Sequence, residues 1–157
     1  MYTDDMNKKK LQIDQLESRI KRFSYAHELP NPPTGWIRAI RLALGMSLQQ
    51  LANKLTITKQ SVQEMEKREK EGAVTLRSLR ETAHALDMEL VYGFVPKEGS
   101  LEKYIDKKAR LLAREIVLRT SNTMKLEAQE NTDQRLKKAI EERVIIIKRE
   151  LPKALWD

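Results

Sequence analysis

The chain has 157 residues, room for one domain or one small domain with extensions. It is 40% apolar but only 5% aromatic, and it has no cysteine, which excludes disulfides and thiolate metal sites. Its net charge of +7 suits a polyanionic partner, yet the excess is small in every region: 6 basic against 5 acidic residues over 1–33, 9 against 7 over 34–95, and 15 against 11 over 96–157.

Residues 5–25 read as an amphipathic helix, because Ile13, Leu16, Ile20 and Phe23 recur at steps of three, four and three. Pro30, Pro32, Pro33 and Gly35 break it. Short helices follow over 35–86. The stretch 89–95, rich in β-branched and aromatic residues and closed by Pro96, reads as one short β-strand. An unpaired strand leaves its backbone groups open, so Leu90, Val91, Tyr92 and Phe94 are expected to pair with a second subunit in a homodimer. The alternative is a β-extension or loop packed on its own domain. Beyond Gly99 the chain turns helical again, with Ser100 as N-cap of a helix to about Met124 and a last helix ending near Glu150, before Pro152. Leu101, Ile105, Leu112 and Ile116 form one apolar stripe there, and Ile140, Val144, Ile147 and Leu151 another. Such stripes pack on the domain's own core, pack on each other, or offer a surface to a partner. Trp156 reads as a packing anchor. The organisation expected is therefore 1–33 as helix and proline-rich linker, 34–96 as the central domain, and 97–157 as a helical extension.

The most informative segment is 46–66. Ser47 with Gln50 three residues on is a capping box. Leu48, Leu51 and Leu55 make the apolar stripe of the helix it starts. Ala52 is small where another helix must cross closely. Ile57 closes the corner, and Thr58 caps a second helix whose inner face is Val62 and Met65. Two capped helices about eight residues long, joined by a short turn, are a helix-turn-helix. At 100° per residue, Gln60, Gln63, Glu64 and Lys67 point away from Val62 and Met65, with Lys59 at the exposed amino end. An outward Lys/Gln face alone is an ordinary solvated surface. Placed on a recognition helix it gains a role, since glutamine bonds adenine N6 and N7 and lysine donates to guanine O6 and N7. Lys59, Gln60, Gln63 and Glu64 are therefore the candidate base readers, Gln60 foremost, while Glu64 either accepts from cytosine N4 or repels wrong sites. Ser47, Thr58, Ser61, Lys67 and Arg68 are the candidate phosphate contacts.

The residues from Trp36-Ile37-Arg38-Ala39-Ile40-Arg41 through the motif to Leu79, Ala83 and Leu86 resemble the lambda-repressor-like helix-turn-helix family, the Cro/CI or XRE type. Glu66 matches the glutamate that ends that family's recognition helix. Thr56 stands where the turn usually has glycine, and Leu48 where a glutamine often meets phosphate. A narrower likeness covers about 10–115. The runs Pro32–Arg41, Glu66–Glu69, Thr75–Arg80 and Ala85–Tyr92 are similar to the group called mobile mystery protein A, whose members lie beside a Fic-domain protein in a toxin–antitoxin-like pair. That resemblance implies an antitoxin that binds DNA and a Fic partner. The family's Fic-inhibitory pattern is met only in part at 123–128, because Ala128 stands where glycine or asparagine belongs.

The fold class expected is mainly α: a lambda-repressor-like domain with one short strand and flanking N- and C-terminal helices. The function expected is a DNA-binding repressor of its own operon, acting as a dimer on a palindromic operator and doubling as an antitoxin. The alternatives are a protein-interaction module with little specific DNA binding, or a stand-alone repressor. No Ser/His/acid set or phosphate loop is visible, and His27 and His84 have no neighbour at metal-ligand spacing, so neither an enzyme nor a cofactor or metal is expected. The start MYTDDMNKKK leads into an amphipathic segment, not an apolar leader, and the longest apolar run, Val144-Ile145-Ile146-Ile147, falls far short of the roughly 20 residues of a membrane span. A cytoplasmic protein is expected.

Overall fold

The computed structural model describes residues 2–124 and 132–157. Of the polar stretch 128–133 expected between the last two helices, positions 128–131 lie outside the described residues, as do positions 125–128 of the partial Fic-inhibitory match. The described residues form seven α-helices: α1 (Tyr2–Phe23), α2 (Trp36–Ala43), α3 (Leu48–Leu55), α4 (Lys59–Glu71), α5 (Leu76–Ala85), α6 (Leu101–Met124) and α7 (Thr132–Glu150). Short 3₁₀ turns follow α1 at Ser24–Glu28 and α7 at Lys153–Trp156. The chain divides into two compact units, one of residues 27–93 and one of residues 1–26 with 94–157.

In the unit of 27–93, α3 packs on α4 and α5, and α2 packs on α4. The core is small: Ile37, Leu51, Ala52 and Val62 are buried, with Leu48, Leu55, Met65, Leu79 and Leu86 packed around them. Ala52 is fully buried, so the close crossing expected of a small residue is present. Each of the last three helices begins at a hydroxyl that accepts from the amide three residues on: Ser47 from Gln50, Thr58 from Ser61 and Thr75 from Ser78. Ser47 and Gln50 form the complete capping box, the Ser47 N–H donating to Gln50 Oε1 at 2.8 Å.

In the other unit α6 packs on α7 and on the final 3₁₀ turn. Ile105, Ala109, Ala113, Val144, Ile147 and Leu155 are buried, with Ile13, Leu112, Ile116, Ile140 and Leu151 against them. The two C-terminal stripes thus pack on each other. Ser100 Oγ accepts from the Lys103 N–H at 3.1 Å, and Glu17 of α1 accepts from the Leu101 N–H at 2.8 Å, so α6 is capped from both its own chain and α1. Leu16 of the N-terminal stripe is exposed. At the C-terminus the buried anchor is Leu155, while Trp156 is half exposed and lies against Tyr104 with ring centroids 5.6 Å apart.

Two expectations are corrected. The expected strand at 89–95 is not one, and no strand occurs among the described residues. A strand exists only through ladder hydrogen bonds to a neighbour, and the described chain offers no second extended segment beside this one. The recognition helix is also longer than about eight residues. It runs thirteen, to Glu71, and stops where Gly72 takes a left-handed conformation at φ 77°.

In the α6–α7 pair, Asp106 receives hydrogen bonds from Arg110 Nε at 2.8 Å and Lys148 Nζ at 3.1 Å. The Arg110 bond above all, with help from Lys148 and against partial desolvation, holds the Asp106 carboxyl below its usual 3.8. A depressed acid contributes stability that is full above the unfolded value and is lost as pH falls through the folded one. Asp106→Asn should therefore lower stability at pH 7, with the gap to the parent closing well below pH 3.8. Urea unfolding at both pH values measures it; an equal gap at both would show that Asp106 acts by packing alone.

Candidate nucleic-acid interface

The outer face of α4 is what the rest of this unit positions. Lys59, Gln60, Gln63, Glu64 and Lys67 are all exposed, while Val62 and Glu66 are buried and Met65 is half-buried. The four candidate base readers thus share one solvent-facing helix surface, Lys59 and Gln60 in its first turn.

That surface is oriented by two carboxylates at inward positions of the same helix. Glu66 is buried and accepts from Arg41 Nε at 2.6 Å and Nη2 at 3.2 Å, a two-pronged pair with a guanidinium that is itself buried. Arg41 Nη1 donates further, to the Met46 carbonyl at 3.0 Å, so a single side chain ties α2, the turn before α3, and α4 together. Glu69, one turn on, accepts from the Ile37 N–H at 2.8 Å and caps α2, whose own N-cap, Gly35, has no side chain to do so. Gly35 needs to be glycine twice over. Its φ is 85°, and a Cβ there would lie 2.6 Å from Glu69 Oε1.

Between α2 and α4 lies a cleft of about 500 Å³ lined by Thr34, Arg38, Arg41, Leu48, Gln63, Glu64, Glu66, Lys67 and Lys70. Arg41 and Glu66 neutralise each other, which leaves Arg38, Lys67 and Lys70 against Glu64. None of these three cations has an ion-pair partner among the described residues. The candidate phosphate contacts do not converge. Lys67 lines this cleft, whereas Ser61 and Arg68 line a second one of about 230 Å³ on the α5 side. Ser47 and Thr58 are engaged as caps. The Ser47 oxygen accepts at 3.1 Å but its proton is uncommitted, and the Thr58 and Ser61 hydroxyls bond each other at 2.8 Å. Cations on both flanks of a polar face are the elements needed to straddle a phosphate backbone while facing base edges.

The turn carries the departure noted at Thr56. It adopts a left-handed conformation, φ 56° and ψ 41°, unusual for a β-branched residue. Ile57, next to it, donates its N–H to the Ala52 carbonyl at 3.0 Å and closes the corner while staying partly exposed. Of the residues assigned to dimerisation, Leu90 is half-buried, and Val91, Tyr92 and Phe94 are exposed. Tyr92 lies under the Arg80 guanidinium, 5.5 Å from ring centroid to Cζ.

Arg41, Glu69, Arg38 and Lys70 were not singled out by the sequence pattern. Phase contains the signal for the first two. Arg41 follows Ile37 by four and so faces inward, and Glu66 and Glu69 follow Val62 by four and seven. A charged residue in a core phase calls for a buried partner.

Two short helices crossing around a tight turn, with a polar outer face on the second, define a DNA-binding helix-turn-helix module. Residues 37–92 match the family model described as Helix-turn-helix, which supports a Cro/CI-type helix-turn-helix in this part of the chain and points to a DNA-binding transcription regulator. No curated protein and no solved structure matches the chain. Among the described residues no helix is long and apolar enough to cross a membrane.

Two variants test the scaffold. Glu66→Gln strips Arg41 of its counter-charge inside the core and should cost about 3–5 kcal/mol, whereas the paired change Arg41→Met with Glu66→Leu should recover most of that. Denaturant unfolding decides, and a double variant as unstable as the single one would show that the pair is not the source. Thr56→Gly should raise stability by about 1 kcal/mol by relieving the left-handed strain; an unchanged or lower melting temperature would show the turn to be unstrained.

Proposed function

We propose that the protein is a sequence-specific repressor that binds a palindromic operator as a homodimer, represses its own operon, and serves as the antitoxin of a Fic-type toxin. The observation that carries the DNA part is the α4 surface of Lys59, Gln60, Gln63 and Glu64, exposed as a set on a helix locked from behind by Arg41–Glu66 and Glu69. Gln60 reads adenine and Lys59 guanine, with Gln63 and Glu64 refining the choice. Lys67 and the unpaired Arg38 and Lys70 meet the backbone on one side, and Arg68 with Ser61 on the other, while the Ser47 and Thr58 caps approach it at the helix starts. Two copies joined through Leu90, Val91, Tyr92 and Phe94 set the half-site spacing, about one helical turn. In this reading 34–96 contacts DNA, and 1–33 with 97–157 hold the toxin. The antitoxin part rests on the likeness of the Pro32–Arg41, Thr75–Arg80 and Ala85–Tyr92 runs to mobile mystery protein A.

A second reading is a protein-interaction module that keeps the helix-turn-helix as scaffold. Exposed apolar side chains on the helical unit, Leu111, Leu118 and Ile145, favour it.

Binding to the promoter fragment of its own operon separates the two. Specific, strongly salt-dependent retardation is expected, since neutralised phosphates release counterions. Gln60→Ala should cost about 1–3 kcal/mol and relax the preference at one base position. Absent or salt-insensitive retardation would favour the scaffold reading. Co-expression with the neighbouring open reading frame tests the toxin: if it encodes no Fic-type protein, or if the two do not co-purify, the antitoxin part falls.

A further inference from the structure

Residues 89–95 run without regular structure, and none of their backbone groups hydrogen-bonds to another described residue. The segment is nonetheless not loose. Tyr92 is held on α5 by the Arg80 guanidinium, whose Nη2 also donates to the Tyr92 hydroxyl at 3.4 Å. Leu90 and Val91 flank an apolar groove of about 310 Å³, floored by Ile40, Leu79, Ala83 and Leu86 and rimmed by Trp36 and Met88. Two residues past Tyr92, Phe94 stands 87% exposed. The same short stretch therefore borders an apolar groove, has backbone groups unpaired among the described residues, and ends in an exposed aromatic side chain.

We propose that Phe94 is a reciprocal anchor between two copies of this chain, the Phe94 ring of each seating in the groove beside Leu90 of the other. This rests on the homodimer reading above and specifies its register. In an extended segment Leu90, Tyr92 and Phe94 share one face. When two such segments pair antiparallel about a two-fold axis at Tyr92, Phe94 of each copy falls directly opposite Leu90 of the other, on that same face. Leu90 lines the groove, so the symmetry that brings the two backbones together also brings each Phe94 beside a groove. The interface is isologous and leaves no second edge for a third copy. A buried phenylalanine removes about 150–250 Å² from water, so two supply a quarter or more of the ~1,200 Å² that a stable interface needs. The paired backbone and the Trp36 and Met88 rims add the rest.

The 157-residue chain tests this directly, because it has no cysteine of its own. Opposed residues of an antiparallel pair lie within disulfide reach. Phe94→Cys protein mixed with Leu90→Cys protein should form an oxidised cross-linked dimer, and neither variant should do so alone. Light scattering over a dilution series should show Phe94→Ser self-associating at least about tenfold more weakly than the parent. Its circular dichroism should be unchanged, as the Phe94 side chain is largely exposed. A parent chain that stays monomeric at tens of micromolar overturns the homodimer reading and the anchor with it. A dimeric parent whose affinity survives Phe94→Ser, or whose mixed variants fail to cross-link, overturns the anchor alone and leaves the homodimer standing.

Discussion

The buried pairing of Arg41 with Glu66 is the contact on which the geometry of α4 depends. Charges are costly to bury, and this pair is tolerable because every prong is used: two guanidinium nitrogens on one carboxylate and a third on the Met46 carbonyl. The consequence is directional. Apolar contacts at Val62 and Met65 keep α4 against the core but permit it to roll or slide. A forked ion pair, joined one turn later by Glu69 on the Ile37 amide, permits neither. The inward positions of α4 thus carry the acids that fix it, and its exposed positions carry Lys59, Gln60, Gln63 and Glu64.

Local chemistry supplies the remaining precision. Three successive helices start at Ser47, Thr58 and Thr75, each hydroxyl satisfying an amide that would otherwise lack a partner. Because a cap sets where a helix begins, it also sets the phase of everything after it. The cost appears at Thr56, forced into a left-handed turn that glycine would occupy without strain. The division of charge follows the same logic. The +7 of the whole chain is not concentrated on the helix-turn-helix, and in the α6–α7 pair Lys107, Arg110 and Lys148 are neutralised by Glu98, Asp106 and Glu141. In the α2–α4 cleft Arg38, Lys67 and Lys70 have no such partner among the described residues. For a polyanion, three uncommitted cations in one cleft matter more than a larger number already paired.

What the amino-acid order determined by itself was whatever repeats within a turn or two of helix. The caps at Ser47, Thr58 and Ser100, the buried positions Leu51, Ala52 and Val62, and the outward phase of Gln60 and Gln63 all follow from a 3.6-residue period and a hydroxyl three residues before an amide. Tertiary structure decided what depends on partners far along the chain. Arg41 and Glu66 are 25 residues apart, and Ile37 and Glu69 are 32 apart, so neither contact has a local signature beyond a charge in an inward phase. The C-terminal anchor was settled by packing, as Leu155 rather than Trp156, whereas the length of α4 was set locally by the Gly72 cap. The clearest case is 89–95. Its β-branched and aromatic residues state a preference for extended backbone, but a strand is a relation between two segments, and composition names only one of them.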